Sequence, residues 1–384
     1  MKKYRLIAAL IFMILLASNV HAGDVGDVAI HGFLSQGYIV STDNNYLTNT
    51  EKGSFEFNEV GINFSTWLTS DLRAGIQLFA RDLGDLGNDE ITIDWAYADY
   101  HWRDWLGLRV GKIKITHGFY NETRDIDMLR VPILLPQNLY QEQVRDAQIA
   151  MKGVGIYGKT PYWPIGAFAY QLLAGTVDIA PDSGPAKNAS AQGTVSQFDV
   201  DYAYNAGLRW LTPLDGLVVN GTVYTISFDA SFEGSSAIRG EWESMTFYTG
   251  GIEYIWEELI FTAEYMFLDS HAKINLILPF GKFAVADPGG QTDGWYAAVA
   301  YRINQYIMPG VYYSETYADV DDRENRNKLL KDMCVTFRID FNDSWVGKIE
   351  YHMMRGKGML FAVDNPSGLD SKWHLGAAKL TYTF

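Results

Sequence analysis

The nine residues MCVTFRIDF, Met333–Phe341, alternate strictly between apolar and polar side chains. In an extended chain, Val335 and Phe337 would lie on one face and Arg338 and Asp340 on the other. Successive side chains of a β-strand point to opposite faces, so this pattern predicts a strand with one apolar and one ionic face. After the short connection 342–343, the segment SWVGKIEYHMM repeats the pattern.

The same alternation recurs along the chain and predicts an all-β fold of about sixteen strands. We place them at 28–40, 54–68, 72–81, 91–102, 106–115, 147–158, 165–177, 203–211, 216–229, 245–255, 258–269, 294–303, 306–316, 332–341, 344–355 and 373–384. Connections after even-numbered strands are short and those after odd-numbered strands are long. Outer-membrane barrels sort their connections in this way, so we expect a transmembrane antiparallel β-barrel with long extracellular loops. A further hairpin within 271–286 would raise the count to about eighteen.

The composition agrees with an exported membrane protein. Residues 1–22 combine a basic start with the apolar run LIAALIFMILLA, and we interpret them as a signal peptide that leaves 23–384 as one barrel domain. A membrane anchor is the alternative, but this run is short for a spanning helix. Aromatic residues make up 14% of the chain, as expected at a lipid–water boundary. The net charge of −15 argues against a nucleic-acid partner, and the single cysteine, Cys334, leaves no internal disulfide.

The last predicted strand, WHLGAAKLTYTF, ends on Phe384. In this respect the chain resembles Gram-negative porins, in which a terminal strand ending in an aromatic residue is the signature recognised by the barrel-assembly machinery. The resemblance implies location in the bacterial outer membrane, contact with its lipids, and a homotrimer.

The alternation stops at HGFYNETRDIDMLRVPILLPQNLY, His117–Tyr140, within the predicted third long loop, 116–146. A sixteen-stranded barrel encloses a water channel, which such a loop would narrow by folding into the lumen. The segment resembles the constriction loop of general porins and the corresponding segment of porins related to the phosphate-selective group. An extracellular lid or adhesive loop is the alternative. The charged residues expected at the constriction are Glu122, Arg124, Asp125, Asp127 and Arg130. Acidic residues outnumber arginines in 116–146, so we do not expect a phosphate filter.

Other charges should line the lumen by alternation. We expect the inward-facing set to be mixed in sign, with Arg73, Arg81, Arg109, Arg209, Arg302, Arg338 and Lys348 against Glu253, Glu264, Glu315, Asp340 and Glu350. Lys112 and Lys114 are added if a bulge turns them inward. Two readings remain for each such residue, because a lumen charge either sets ion selectivity or only pairs with a neighbour in a wet channel.

Two other chemistries receive no support from the sequence. The segment GVGIYGKT, 153–160, matches a phosphate-loop pattern, but the helix that this motif needs is replaced by PYWPIG. Scattered histidines and one cysteine give no metal-binding pattern, and we expect neither a cofactor nor enzymatic activity. The sequence therefore favours an outer-membrane porin, a passive diffusion channel for small hydrophilic solutes and ions. A surface-interaction barrel with a closed lumen is the alternative.

Overall fold

The computed structural model describes residues 28–181, 183–189, 194–233 and 235–384. The predicted signal peptide, 1–22, lies outside these residues. No helix in the described part of the chain is long and apolar enough to cross a lipid bilayer.

The described residues form one antiparallel sheet that closes on itself. Its strands are β1 Ala29–Ser41, β2 Asn58–Trp67, β3 Leu72–Asp82, β4 Thr92–Arg103, β5 Leu106–Lys114, β6 Ala150–Lys159, β7 Ala167–Thr176, β8 Val195–Leu211, β9 Leu217–Phe232, β10 Ser235–Trp256, β11 Leu259–Leu278, β12 Gly281–Ala286, β13 Gly290–Tyr301, β14 Ile307–Tyr317, β15 Leu329–Asp340, β16 Trp345–Gly356 and β17 Lys372–Thr383. The first strand pairs with the last, from Phe33 opposite Thr383 to Ser41 opposite Leu375. This pairing leaves no open edge, which is what a sheet needs in a solvent that offers no hydrogen bonds.

The strand β12 does not enlarge the barrel. It pairs with the outer end of β11, at 274–278, whereas the lower part of β11 pairs directly with β13. The hairpin anticipated within 271–286 therefore forms as an extension above the barrel wall, and sixteen strands close the barrel among the described residues.

Alternation along the strands separates the two faces as predicted. In β16, Lys348, Glu350 and His352 are buried, whereas Ile349 and Tyr351 are exposed on the outer surface. Pairing with β15 places Arg338 beside Lys348 on the inner face. The outer face thus carries the apolar residues that lipid requires, and the lumen receives the ionic ones.

The wall formed by β8–β11 is taller than the sequence pattern indicated. The long connection expected at 230–244 is mostly strand, because β9 continues to Phe232 and β10 already begins at Ser235. The alternation is hard to recognise there because the outward residues Asp229 and Ser231 are polar. Strand segments beyond the bilayer do not need an apolar outer face.

Short helical turns occur only in the connections of the described chain, at Thr50–Lys52, Asp127–Leu129, Arg145–Gln148, Gly184–Ala189 and Ala362–Asp364. The longest connection, 115–149, lies inside the barrel and is called the constriction loop below. Its apolar segment is buried against inward residues of the wall, with Ile133 and Leu134 in one cluster with Trp373 and Leu375. The apolar interior of the molecule therefore lies within the barrel, between this loop and the wall.

Candidate functional site

The constriction loop turns into the lumen directly after β5. Gly118 adopts a φ of +61°, and the space next to its Cα is filled by the hydroxyl group of Tyr140 and the carboxylate of Glu264, so a side chain would not fit. The amide of Asn121 then donates to the carbonyl groups of Ile115 and Gln148, both at 2.9 Å. This single side chain joins the two ends of the loop where they leave and rejoin the wall.

One anchor of the loop is the carboxylate of Asp127. It lies 2.8 Å from the ammonium group of Lys379 on β17 and 2.9 Å from the guanidinium group of Arg130. The hydroxyl group of Thr381 donates to the same carboxylate at 2.7 Å. All four residues are buried, so the pairs are little screened by water.

The neighbouring strand β16 holds the loop backbone. The ammonium group of Lys348 donates to the carbonyl oxygens of Asp127 and Arg130, at 2.7 and 2.8 Å. The carboxylate of Glu350 accepts hydrogen bonds from the amide groups of Ile133 and Leu134, at 2.6 and 3.0 Å. Because Pro132 has no amide hydrogen and restricts the backbone before it, the loop presents these two amides to the wall without forming a strand.

A second anchor lies on another part of the wall, at Glu264 on β11. Its carboxylate accepts hydrogen bonds from the hydroxyl groups of Tyr140 and Tyr296, at 2.5 and 2.6 Å, and from the amide of Phe119 at 2.9 Å. Beside it, the hydroxyl group of Tyr120 donates to Glu253 at 2.8 Å. With β16 and β17 holding one part of the loop and β10 and β11 another, the loop is fixed across the bore.

Two further acidic residues of the loop, Asp125 and Glu142, are paired near its start and its return. Asp125 lies 2.6 Å from Arg145 and 2.7 Å from Lys114. Glu142 lies 2.7 Å from Arg124 and 3.3 Å from Arg81 of the wall. Buried charges are costly unless they are paired, so this arrangement stabilises one position of the loop and strongly disfavours its partial release.

These pairs determine the ionisation of the loop. Burial raises the pKa of Asp125, but the charges of Arg145 and Lys114 outweigh burial and hold that pKa well below its usual range. Burial likewise opposes ionisation of Asp127, yet Lys379 and Arg130 lower its pKa strongly. At Glu142, Arg124 and Arg81 outweigh burial and lower the pKa to about 2. All three carboxyl groups are therefore negatively charged at neutral pH.

The other residues predicted for the constriction and lumen occupy several environments. Glu122 lines a cavity together with Arg109 and Arg209. Arg109 lies 3.0 Å from Asp99. Arg209 has no ion pair within the described chain, and its guanidinium group lies over the ring of Phe119. Three more charges cluster at the periplasmic end of the wall, where Asp340 pairs with Arg338 at 2.7 Å and with Arg302 at 3.2 Å.

Arg73 and the two lysines of β5 complete the set. Arg73 is exposed and donates to the hydroxyl group of Ser65 at 2.9 Å. Lys114, at the end of β5, reaches Asp125. The β5–β6 register runs from 107 to 114 without a bulge, so both lysines share the outer-facing register of Val110, and only Lys114, at the strand end, bends back to the loop. This corrects the expectation for Lys112, whose ammonium group donates to the carbonyl group of Ile93 at 2.6 Å and does not reach the loop. The expectation for Glu315 is also wrong, because it lies on the outer face of β14 and pairs with Lys331 at 2.6 Å.

Several residues of the site escaped the sequence analysis. These are Asn121, Tyr140, Glu142, Arg145 and Lys379. Alternation also places Lys379 inward, and this was an available signal, whereas Glu350 was already expected to face the lumen. Nothing local indicates that they, rather than other inward charges, meet the loop.

The structure also brings together three potential metal ligands from two neighbouring strands. Cys334, Glu350 and His352 place one ligand atom each within 4.8 Å of one another on the inner face of β15 and β16. The imidazole of His352 also bridges Asp332 at 3.0 Å and Glu350 at 3.3 Å, so its two nitrogens have partners without an ion.

A cavity remains on each side of the loop. A cavity of about 280 Å³ lies toward the periplasmic turns and is lined by Arg109, Glu122 and Arg209. A second cavity, of about 480 Å³, lies toward the extracellular loops. We call the second cavity the vestibule; it is bounded by the loop return at 141–148 and by the upper parts of β8–β11.

A closed sixteen-stranded barrel with a long loop folded across its lumen is the architecture of Gram-negative outer-membrane porins, and the chain has that fold. The channel DcaP of Acinetobacter baumannii matches with a TM-score of 0.59 and 11% identity, over 93% of this chain and 97% of DcaP. An anion-selective porin from Comamonas acidovorans matches with a TM-score of 0.58 and 10% identity, over 93% and 99% of the two chains. OmpF of Salmonella typhi, solved in complex with daunomycin, matches with a TM-score of 0.58 and 12% identity, over 93% of this chain and 97% of OmpF.

No protein-family model matches the sequence, and a search of curated proteins gives no match. The likeness to solved structures is thus one of fold. The more detailed resemblance of the loop segment to the phosphate-selective group stays a prediction.

Proposed function

We propose that this protein is a passive diffusion channel of the bacterial outer membrane for small hydrophilic solutes and ions, narrowed by the constriction loop. The observation that carries the proposal is the fixation of that loop between Asp127–Lys379 on one part of the wall and Tyr140–Glu264 on another. A sixteen-stranded barrel is too wide for its own side chains to fill, so an anchored internal loop sets the size of the opening. Cavities on both sides of the loop support a path through the barrel.

The selectivity of this channel would arise at charges that face water. We propose that the periplasmic side of the constriction, with Arg109, Glu122 and Arg209, provides the charged contacts for permeating ions. The buried charges Arg124, Asp125, Asp127 and Arg130 act by holding the loop, because their partners already neutralise them. No enzymatic activity is part of the proposal.

The remaining parts of the proposal rest on the resemblance to porins. They are removal of residues 1–22 on export, assembly as a homotrimer among outer-membrane lipids, and recognition of the strand ending at Phe384 by the barrel-assembly machinery. The homotrimer is tested by native mass spectrometry of the detergent-extracted protein, where a monomer alone would contradict it.

Conductance in a planar lipid bilayer tests the channel itself. The purified protein is expected to give stepwise ion currents, and deletion of 117–140 is expected to enlarge each step because the obstruction is removed. Deletion of 321–326, in an exposed extracellular connection, serves as the control and leaves the step size unchanged. A silent membrane with the folded intact protein contradicts the proposal and favours a surface-interaction barrel with a closed lumen.

A further inference from the structure

The vestibule differs chemically from the rest of the barrel interior. Among the described residues that line its roughly 480 Å³, none is Asp, Glu, Lys, Arg or His. The cavity on the other side of the constriction loop is lined by Arg109, Glu122 and Arg209, among other charges. The lumen of a water-filled barrel is ordinarily polar, so a volume without charges at its mouth calls for a physical reason.

Aromatic rings form one wall of the vestibule. Phe228 and Trp242 stack with ring centroids 4.8 Å apart and planes 12° apart, and Phe198 meets Phe228 edge to face at 5.7 Å. Below them, Tyr224 and Phe247 stack at 5.8 Å and 19°. These rings project inward from three adjacent strands, β8, β9 and β10. All but Phe198 are mostly buried against one another, and the parts that remain accessible form the apolar lining of the cavity. Surfaces of this kind attract flat apolar molecules through burial and ring contacts.

The floor of the vestibule is the return of the constriction loop. The hydroxyl group of Tyr224 donates to the carbonyl group of Ala147 at 2.8 Å and ties this floor to the aromatic wall. Gln148 also lines the cavity; its side chain is only 6% exposed, and its Oε1 atom accepts no hydrogen bond from the described residues. A buried amide oxygen without a donor is unfavourable, and a bound molecule with an N–H or O–H group would satisfy it.

We propose that the vestibule is a binding site for uncharged small molecules that combine a flat aromatic or apolar face with a hydrogen-bond donor. Ions gain no compensating charge from its walls and lose hydration on entering, so they are disfavoured. Its volume lies in the range of about 300–1,000 Å³ that is usual for small-molecule sites. As a binding site the vestibule stands alone; as the entry site for a class of transported solutes it rests on the proposed channel function.

Titration calorimetry with the full barrel in lipid nanodiscs tests the proposal, with empty nanodiscs subtracted for partition into lipid. The probe is indole, which has a flat ring and one N–H donor. N-methylindole lacks the donor, indoleacetate is an anion, tryptamine is a cation, and glucose is uncharged but hydrophilic. We expect saturable binding of indole to be about tenfold tighter than binding of either charged relative or of glucose, with N-methylindole between them. Equal binding of all probes, tighter binding of glucose, or no saturable indole binding would overturn the proposal.

Variants locate the site. Trp242→Ala is expected to weaken indole binding about tenfold, and Trp102→Ala, which removes an exposed ring outside the vestibule, is expected to leave it unchanged. Met245→Glu, at a partly exposed position on the vestibule wall, supplies a second test in case loss of Trp242 disturbs folding. The added carboxylate is expected to weaken indole binding and strengthen tryptamine binding. Unchanged affinities in both variants would place indole elsewhere and refute the assignment.

Conductance of the same purified protein in a planar lipid bilayer separates this inference from the proposed function. Binding of indole without ion current would leave the vestibule site standing and remove the channel. Ion current without saturable indole binding would leave the channel standing and remove the site.

Discussion

The carboxylate of Asp127 lies 2.8 Å from the ammonium group of Lys379, although the two residues are separated by most of the chain. Asp127 belongs to the constriction loop and Lys379 to the last strand, so their contact fastens the loop to the seam where the barrel closes. Arg130 and Lys348 share the same carboxylate, at 2.9 and 3.6 Å. Four consequences of this anchored loop are open to experiment.

Asp127→Asn removes the charge that three cations share while nearly preserving the shape of the side chain. Lys379 keeps its ion pair with Glu59, but Arg130 and Lys348 lose theirs. Leaving a buried charge without a counterion costs about 3–5 kcal/mol, so we expect the loop to leave its docked position and the single-channel conductance to rise. Planar-bilayer recording measures this change. Asp343→Asn, in an exposed periplasmic turn, is the matched control. Identical conductance of the two variants would show that Asp127 does not hold the loop.

Tyr140→Phe and Tyr296→Phe form a natural pair, because both hydroxyl groups donate to the same carboxylate oxygen of Glu264. Tyr140 belongs to the loop and Tyr296 to the wall. A typical intramolecular hydrogen bond contributes about 0.5–1.5 kcal/mol. We expect amide hydrogen exchange of 117–140 to accelerate in Tyr140→Phe and to remain close to the original rate in Tyr296→Phe. Equal acceleration in both variants would mean that the wall itself loosens.

Docking of the loop should weaken in mild acid because of His117. Burial lowers the pKa of this imidazole from 6.5 to about 4, although its hydrogen bond to the carbonyl group of Leu139 opposes the shift. The undocked form therefore binds a proton more readily, and the stability that His117 contributes is present above about pH 6.5 and is lost as the pH falls toward 4. The difference corresponds to at most about 3 kcal/mol.

Hydrogen exchange of 117–140, corrected for the intrinsic effect of pH, measures this loss. In His117→Gln the dependence should weaken, most clearly between about pH 6.5 and 5, where the paired carboxyl groups of the loop stay ionised. His31→Gln, at an exposed position of β1, should retain it. A retained dependence in His117→Gln would assign the effect to another group.

Arg209 should influence ion selectivity more directly than Arg338. Arg209 is half-buried and lines the cavity on the short-turn side of the loop, and no carboxylate of the described chain pairs with it. Arg338 is buried and binds both Asp340 and the backbone of the loop at Arg130. We expect Arg209→Gln to shift the reversal potential in a salt gradient toward cations with little change in conductance. Arg338→Gln should mainly raise conductance by loosening the loop. No shift in reversal potential for Arg209→Gln would remove it from the ion path.

Local alternation determined the barrel. The inward and outward residues of β15 and β16 follow from the two-residue period of a strand, which can be read from a few consecutive residues. The sorting of connection lengths then indicated a closed antiparallel sheet. Where both faces of a strand carry polar residues, as the outward Asp229 and Ser231 cause in β9, the predicted strands ended too early. The same two-residue period places Lys112 on the outer face with Val110, because the register of β5 contains no bulge against β6.

The sequence by itself therefore determined the closed sheet, its two faces and the internal loop, because each depends on residues close together along the chain. Only the tertiary structure decided that Asp127 meets Lys379, that Ile133 meets Glu350, and that a charge-free aromatic vestibule forms above the loop. Those contacts join segments hundreds of residues apart. Which residues meet depends on the stagger between strands and on the height at which each inward side chain lies in the barrel. Neither quantity can be read from a local sequence pattern.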